Sequence, residues 1–312
     1  MNAASAKRLR LTLGPLLYYW PRERVFEFYE QVAGWPVDTV HVGEAVCNKR
    51  HELRPQDYLE IAANLAAKGK EVVLSTCELA ESEQDLRVMR KIAGNGRLLV
   101  EANDLGAVKL LAGKGPFVCG PYLNIYSRPT LEVFRSFGAT RWVMPIEMSR
   151  EGLREVLREP GLDMETEVFS YGRLPLAISA RCFTARYNNL TKDDCQFKCR
   201  DHPDGLLVST QDEEAFLAVN GLQTQSARVH ELASELPGMA AMGVDRVRLS
   251  PQSQHMGEVI DTFRRVADGS LAPAEASRIL GRIAPGPLCD GYWHGRPGHE
   301  RSAHAQKQAV GA

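Results

Sequence analysis

Three of the seven cysteines lie in one polar segment, residues 181–200. Twelve residues separate Cys182 from Cys195, three separate Cys195 from Cys199, and an apolar run precedes Cys182. Thiolates bind zinc and iron–sulfur clusters, and both kinds of site commonly take four protein ligands. The segment therefore indicates a metal site whose fourth ligand comes from elsewhere in the chain.

The elements that must position these thiols are short apolar runs alternating with amphipathic stretches, which we interpret as strands and helices. The predicted strands are 9–18, 39–43, 71–75, 98–101, 117–124, 142–146, 165–169 and 245–249. The predicted helices are 22–33, 56–68, 83–92, 105–111, 131–137, 151–158, 227–242 and 258–267. The chain thus contains eight strand–helix units.

Eight such units between about residues 8 and 283 predict an α/β fold, a (β/α)8 TIM-like barrel. The alternative is a doubly wound open sheet, which usually carries a glycine-rich phosphate loop after its first strand. The corresponding segment reads GPLLYYWPRE and has no such loop. We therefore favour the barrel.

The seventh unit departs from the regular pattern. Its strand and helix are about fifty residues apart, which is long for a barrel loop. This insertion, residues 180–226, contains the cysteine segment and a predicted hairpin that pairs 206–209 with 218–222. We expect one barrel domain, residues 1–298, and a disordered tail, residues 299–312.

Cys47 is the predicted fourth ligand. Loops that follow barrel strands all emerge on one face, and Cys47 follows strand 2 as the insertion follows strand 7. The topology therefore brings Cys47, Cys182, Cys195 and Cys199 to one rim. The other three cysteines fit this site less well: Cys77 follows strand 3, Cys119 lies inside strand 5, and Cys289 belongs to the C-terminal segment.

The spacing leaves three interpretations of these thiols. Structural zinc usually draws on close pairs such as C-x2-C, and the chain has none. A scattered set with wide gaps suits an iron–sulfur cluster better. Unrelated buried or reactive cysteines are the third interpretation.

Two further segments carry a resemblance to a known family. Residues 167–172, EVFSYG, lie before the apolar run and Cys182, and residues 289–298 read CDGYWHGRPG. Both resemble the U32 peptidase family, of which the first carries the E-x-F-x-x-G signature. The segments GPLLYYWPR, VHVGEAVCNKRHE and NIYS, together with the cysteine loop, are most similar to members that act in oxygen-independent ubiquinone biosynthesis. The resemblance covers residues 8–298.

The resemblance implies a [4Fe–4S] cluster on Cys47, Cys182, Cys195 and Cys199. It implies an iron–sulfur subunit of a heterodimer with a UbiU-like paralogous chain, which together hydroxylate a ubiquinone precursor without oxygen. It also implies a UbiT-like lipid-binding protein as a further partner and prephenate as the oxygen donor. Catalytic residues are not identified.

Polar residues at the predicted strand ends form a second group of candidates. In a barrel they would ring the mouth and could line a substrate pocket, although polar residues are common at strand ends. They are Glu44, Glu78, Glu101, Asn103, Asn124, Tyr126 and Glu147.

The positions of a few other side chains suggest a role or a degree of exposure for each. Tyr171 and Arg173 could tune the cluster by hydrogen bonding or charge. His202 and His255 are predicted to be surface residues. Trp293 and His294 could pack over the barrel or serve a partner interface.

Composition and charge narrow the function classes. The net charge of −1 gives no reason to expect nucleic-acid binding, and no apolar run is long enough for a membrane helix. The N-terminal run LRLTLGPLLYYW is broken by Thr12 and Gly14-Pro15 and lacks a small-residue cleavage site, so we interpret it as a first strand and expect a cytoplasmic protein. An odd number of cysteines in a chain of this size then argues against a disulfide framework. The alternatives to the redox subunit are a U32-type peptidase or other hydrolase, and a noncatalytic scaffold stapled by metal.

Overall fold

A computed structural model describes residues 8–302 of the chain. The strands are β1 (Arg10–Leu13), β2 (Thr39–Val42), β3 (Glu71–Ser75), β4 (Leu99–Ala102), β5 (Phe117–Cys119), β6 (Ala139–Val143), β7 (Glu165–Ile178), β8 (Leu206–Ser209), β9 (Ala215–Asn220), β10 (Gln223–Glu231), β11 (Arg246–Leu249) and β12 (Leu288–Cys289). The helices are α1 (Arg22–Gly34), α2 (Pro55–Ala67), α3 (Glu83–Ala93), α4 (Leu105–Leu111), α5 (Arg128–Ser136), α6 (Arg150–Leu157), α7 (Phe183–Tyr187), α8 (Leu236–Met242), α9 (Met256–Ala267) and α10 (Pro273–Ile283).

Eight parallel strands close into a barrel. Strands β1 to β7 pair in sequence order, β7 pairs with β11, and β11 pairs back to β1, with Leu11 opposite Val247. Helices lie between successive strands and bury their apolar faces against the barrel; α1, for example, buries Val25, Tyr29 and Val32. The predicted TIM-like α/β fold is confirmed, and the open-sheet alternative is wrong because the sheet has closed.

Strand β7 is much longer than predicted and extends beyond the barrel. Its outer half pairs antiparallel with β10, which continues the sheet through β9 to β8. The predicted hairpin is present, with Leu206 opposite Val219, although β9 begins at Ala215. The insertion is therefore an extension of the barrel sheet and not an independent unit.

Several predicted boundaries were wrong for local reasons. The predicted helix 227–242 begins only at Leu236, because residues up to Glu231 belong to β10. Strand β5 ends at Cys119, since Pro121 opens a short 3-10 turn. Strand β6 starts at Ala139 and ends before Pro145, which has no N–H for the sheet. Helix α10 was not predicted.

Part of the predicted tail is packed against the barrel. Asp290 and Gly291 donate backbone hydrogen bonds to the carbonyl of Glu300, and Arg301 donates to the carboxylate of Glu231 at 2.6 Å. The remainder, residues 303–312, lies outside the described residues. No helix between residues 8 and 302 is both long and apolar enough to cross a membrane.

Candidate functional site

The four predicted cysteine ligands follow two barrel strands at the same end of the barrel. Cys47 lies in the loop after β2, and Cys182 precedes α7, just beyond the end of β7. Cys195 lies in a turn, and Cys199 lies in the 3-10 turn Lys198–Asp201. Cys199 is buried, the other three are half-buried, and all four are free thiols. This end carries the active site in characterised TIM barrels.

The charges of these cysteines act on one another. Burial raises the pKa of Cys47 to about 11; Arg50 opposes this rise, and the Cys182 thiolate adds to it. Burial also raises the pKa of Cys199, again opposed by Arg50 and increased by Cys182. The hydrogen bond to Asp193 raises the pKa of Lys49, as do the thiolates of Cys195 and Cys47. Arg50 therefore lies near Cys47 and Cys199, and Lys49 lies near Cys47 and Cys195.

The spacing of this set bears on the kind of metal group it could hold. Within residues 8–302, no three His, Cys, Asp or Glu side chains converge closely enough to hold a metal ion. A cubane binds each thiolate through a different iron and therefore needs sulfurs farther apart than a single tetrahedral ion does. Lys49 and Arg50 lie near these thiols and would offset the charge of the thiolates in either kind of site.

Arg50 joins the Cys47 loop to the insertion. Its side chain is 2% exposed, and its terminal nitrogens donate to the carbonyl of Leu17 at 2.7 Å and to Asn220 Oδ1 at 2.8 Å. The amide of Asn220 donates to the same carbonyl of Leu17 at 2.7 Å. Gly221 packs against this guanidinium, where a Cβ would lie 3.0 Å from the Nη2 atom. Loops from β1, β2 and β9 therefore meet at one buried cation.

Charged side chains tie the cysteine segment to the rim at its exposed side. Lys49 donates to the carbonyl of Lys192 at 3.3 Å and pairs with Asp193. Lys192 pairs with Glu81, and Arg200 pairs with Glu52. These contacts hold the loop that carries Cys195 and Cys199 against the loops after β2 and β3.

The other three cysteines are buried elsewhere. Cys119 is fully buried in β5, as predicted, and Cys77 is buried after β3. Cys289 lies in β12, where it pairs with His230 of β10. Burial raises the pKa of Cys289 to about 12 and that of Cys77 above its usual range. These thiols are therefore poor candidates for reactive groups.

A cavity of about 310 Å³ opens between the loops after β3, β5 and β6 and the outer part of β7, and three of the predicted mouth residues line it, Glu78, Asn124 and Glu147. Tyr126 hydrogen-bonds to Glu147 at its edge. Tyr122 also lines the cavity. It was missed because it sits in a 3-10 turn where a strand was predicted.

Two predicted mouth residues lie deeper than expected. Glu101 is fully buried in β4, inside the barrel, and Asn103 is buried and donates to the carbonyl of Thr76 at 2.9 Å. The expectation that they ring the mouth is wrong, because β4 continues to Ala102 and turns Glu101 into the barrel. Glu44 stays at the rim, where it accepts the backbone N–H of Cys47 at 3.1 Å.

The barrel interior holds an ionic network that the sequence interpretation missed. Arg248 contacts Glu101 at 2.6 Å and Glu167 at 2.5 Å, and all three side chains are buried. Burial raises the pKa of each carboxyl, but Arg248, His41 and hydrogen bonds together outweigh it, so both pKa values lie below the ordinary one. The sequence does contain a pattern that indicates this network. Charged residues alternate along β7 and β11, which places them all on the inner face of the barrel.

Ser75, His41 and Glu101 are neighbours in this network but do not form a hydrolytic triad. A triad binds serine to one ring nitrogen of histidine and the carboxylate to the other. Here Ser75 Oγ and Glu101 Oε2 both lie 3.2 Å from His41 Nδ1, and Ser75 donates directly to Glu101 at 2.7 Å. All three side chains are inaccessible to solvent.

The remaining candidates have structural partners. Tyr171 donates to Gln252 at 2.8 Å, and Arg173 donates to the carbonyl of Pro285 at 2.9 Å. Neither hydrogen-bonds to a cysteine in the described part of the chain. Trp293 is buried and donates to Glu235 at 2.9 Å, so it packs onto the barrel.

The three histidines assigned by position differ in exposure. His255 is exposed, as predicted, whereas His202 is half-buried. His294 is half-buried, with Nε2 3.7 Å from Asp290.

Comparisons with known proteins agree with the resemblance at the level of the family. The model of peptidase family U32 matches residues 26–303. A curated relative, "tRNA hydroxylation protein P1" of Bacillus subtilis (strain 168), is 26% identical over 199 residues, which cover 57% of this chain and 46% of that protein. The chain thus spans about half the length of this relative.

Solved structures give weaker similarities. The U32 peptidase Mk0906 aligns with a TM-score of 0.45 and 15% identity, covering 81% of this chain and 97% of that one. The N-acetylneuraminate lyase of Proteus mirabilis aligns with a TM-score of 0.46 and 8% identity, covering 88% and 82% of the two chains.

Proposed function

Since the chain belongs to the U32 peptidase family, we propose that it is a UbiV-type iron–sulfur subunit for oxygen-independent hydroxylation in ubiquinone biosynthesis. Its proposed cofactor is one [4Fe–4S] cluster on Cys47, Cys182, Cys195 and Cys199. The observation that supports the proposal is that the loop after β2, which carries Cys47, and the insertion after β7, which carries the other three cysteines, are held together by Arg50 and Lys49. When bound, such a cluster supplies one-electron transfer.

The protein's own residues would hold and tune this cluster. Arg50 opposes the effect of burial, which raises the pKa of Cys47 and of Cys199, and its charge would offset that of thiolates bound to a cluster. The backbone N–H of Ala185 lies 3.4 Å from Cys182 Sγ, so it can donate to the thiolate at the start of α7. Arg50 and Asn220 keep the Cys47 loop and the insertion together.

The proposed partners follow from the same resemblance. A UbiU-like paralogous chain would form the heterodimer, a UbiT-like protein would supply the lipid-bound substrate, and prephenate would donate oxygen. Co-expression with the paralogous chain should raise solubility and give a 1:1 complex on a sizing column. A monomer that does not bind the paralogous chain would contradict the heterodimer.

The cluster is tested by anaerobic purification. We expect a brown protein with about four iron and four sulfide per chain. Alanine at any one of the four cysteines should remove most of this content, whereas Cys119→Ala, a buried cysteine of β5, should leave it unchanged. Stoichiometric zinc without sulfide would contradict the proposal.

A second candidate substrate is tRNA, because the curated relative is named a tRNA hydroxylation protein. The net charge of −1 disfavours it, since nucleic-acid binding depends on basic surfaces. Measuring the quinones and the tRNA nucleosides of a deletion strain grown without oxygen distinguishes the two candidate substrates. We expect the deletion strain to lose hydroxylated quinones, and we expect them to stay absent when the Cys182→Ala variant is introduced into that strain. Normal quinones with an altered tRNA nucleoside would favour the second candidate.

Different experimental results would support the peptidase alternative and the scaffold alternative. The buried Ser75–His41–Glu101 group gives the peptidase alternative no accessible nucleophile. Peptide cleavage by the colourless apoprotein would nevertheless support it. Normal anaerobic ubiquinone in the Cys182→Ala strain would favour a scaffold.

A further inference from the structure

The cavity lined by Glu78, Asn124 and Glu147 lies at the carboxyl end of the barrel strands. Loops after β3, β5 and β6 form one side of it, and residues 175–178 of β7 form the other. Cys182 follows Ile178, a wall residue, by four positions. The cavity therefore borders the segment that carries the candidate ligands, and its volume of about 310 Å³ suits a small molecule.

The polar floor of the cavity is incompletely satisfied. Glu78 is 7% exposed, and its Oε2 atom has no hydrogen-bond partner in residues 8–302. Its Oε1 atom lies 3.4 Å from the amide nitrogen of Gln223, which also lies 3.3 Å from the hydroxyl of Tyr122. Gln223 Oε1 is likewise buried without a partner among the described residues. Buried polar atoms of this kind cost free energy unless a ligand or water completes them.

The walls are apolar and rigid. Two prolines, Pro121 and Pro175, and the aliphatic side chains of Ile146, Leu176 and Ile178 line them. Such surfaces pack well against the faces of a flat ring, and proline loses little entropy when it does so. The ligand is therefore expected to be a ring with its polar groups directed at the floor.

The charge of the cavity selects against anions. Glu78 and Glu147 line it, and none of its lining residues is Lys, Arg or His. Burial raises the pKa of Glu78 well above its usual range, and a carboxyl that holds its proton can both donate and accept a hydrogen bond. A ring hydroxyl matches it, because a hydroxyl also donates and accepts. A carboxylate or phosphate would meet acidic groups without a compensating cation.

We propose that this cavity binds an uncharged, hydroxyl-bearing aromatic ring, with Glu78 and Tyr122 contacting the hydroxyl groups. The identification of this ring with the molecule to be hydroxylated rests on the proposed function. The cavity would then take the acceptor of oxygen, and an anionic oxygen donor such as a dicarboxylate would bind elsewhere, on this chain or on a partner.

Binding of three small probes to the full-length chain tests the proposal. The probes are 4-methylcatechol, 4-methylbenzoate and 4-methylbenzylamine, which share a ring and differ in charge. Saturation-transfer NMR and titration calorimetry measure their binding. We expect the catechol to bind and the benzoate to bind at least tenfold more weakly, because the cavity offers a carboxylate no cation. Equal or tighter binding of the benzoate, or no binding of the catechol, would overturn the proposal, and tighter binding of the amine than of the catechol would overturn the assignment of an uncharged ligand.

Variants locate the binding site. Tyr122→Phe should weaken catechol binding about tenfold, because one hydrogen bond is lost. Leu176→Trp fills the cavity from a partly exposed wall position and should abolish binding without unfolding the chain. The control, Tyr187→Phe, removes a hydroxyl that is exposed on α7. Unchanged binding in Leu176→Trp would place the ligand elsewhere and overturn the proposal.

This test is independent of the cluster. Cys182→Ala should still bind the catechol, because none of the residues that line the cavity is a cysteine. Loss of ring binding with an intact cluster would overturn only the cavity assignment. Ring binding by an anaerobically purified wild-type protein that contains no iron would overturn only the proposed cofactor.

Discussion

The Nη2 atom of Arg50 donates to Oδ1 of Asn220 at 2.8 Å, joining two loops that are 170 residues apart in the chain. Arg50 follows Cys47 by three residues, and Asn220 ends β9, the second strand after the Cys195–Cys199 segment. This hydrogen bond therefore couples the two parts of the cysteine set. It also places a guanidinium close to Glu44, at 3.5 Å, and over the ring of Tyr19.

Replacing Arg50 should damage both stability and the metal site. Arg50→Met leaves the carboxylate of Glu44 and the amide of Asn220 without this partner, and we expect a loss of about 3 kcal/mol in unfolding free energy. Iron content should fall several-fold as well. Urea unfolding and iron analysis measure the two effects. Arg54→Met, at an exposed position before α2, is the control and should change neither.

Gly172 should tolerate no side chain. Its φ of +127° is unfavourable for other residues, and a Cβ would lie 2.5 Å from Cβ of Ser250. We expect Gly172→Ala to cost about 3 kcal/mol or to prevent folding. The matched control is Gly269→Ala, which has a φ of +73° but no atom within 4 Å and should cost only about 1 kcal/mol. If both variants unfold at the same urea concentration, the close approach to Ser250 is unimportant.

The ionic network inside the barrel should be costly to break. Glu167→Gln removes one of the two carboxylates that neutralise Arg248, and we expect a loss of about 3 kcal/mol. Glu155→Gln, on the exposed face of α6, breaks only a surface pair with Arg158 and should stay within about 0.5 kcal/mol of wild type. Equal midpoints for the two variants would show that the buried network contributes little.

His230 should make stability depend on pH. Burial, assisted by the charge of Arg301, lowers the pKa of His230 to about 3, so the unfolded chain binds a proton that the folded chain does not bind. Stability from this residue is complete above about pH 6.5 and falls as pH drops toward 3. At pH 5 the loss should be about 2 kcal/mol.

The comparison of two variants isolates this effect. His230→Phe should flatten the decline in unfolding free energy between pH 7.5 and pH 5, since it removes the proton acceptor. His51→Gln, at an exposed position, should leave the decline as it is in wild type. Parallel declines in wild type and His230→Phe would assign the pH dependence to other groups.

Much of the barrel could be predicted from local patterns. Each strand is a short apolar run, and each amphipathic helix shows its period within a few turns, so β2, β3 and β4 fall within a residue of their predicted bounds. Their alternation predicted the closed parallel sheet, because such connections favour it. The positions of Cys47 and Cys182 at one end of the barrel followed from the same topology.

The sequence alone determined which residues could serve as thiolate ligands and on which face of the barrel they would lie. The tertiary structure decided what surrounds them. Arg50 meets Asn220, and Glu78 meets Gln223, only because β7 runs past the barrel and pairs with β10. Pairing between strands distant in sequence depends on closure of the whole sheet, and no local pattern encodes it. For the same reason Glu101 became part of a buried ionic network, although its position near a strand end had indicated the mouth.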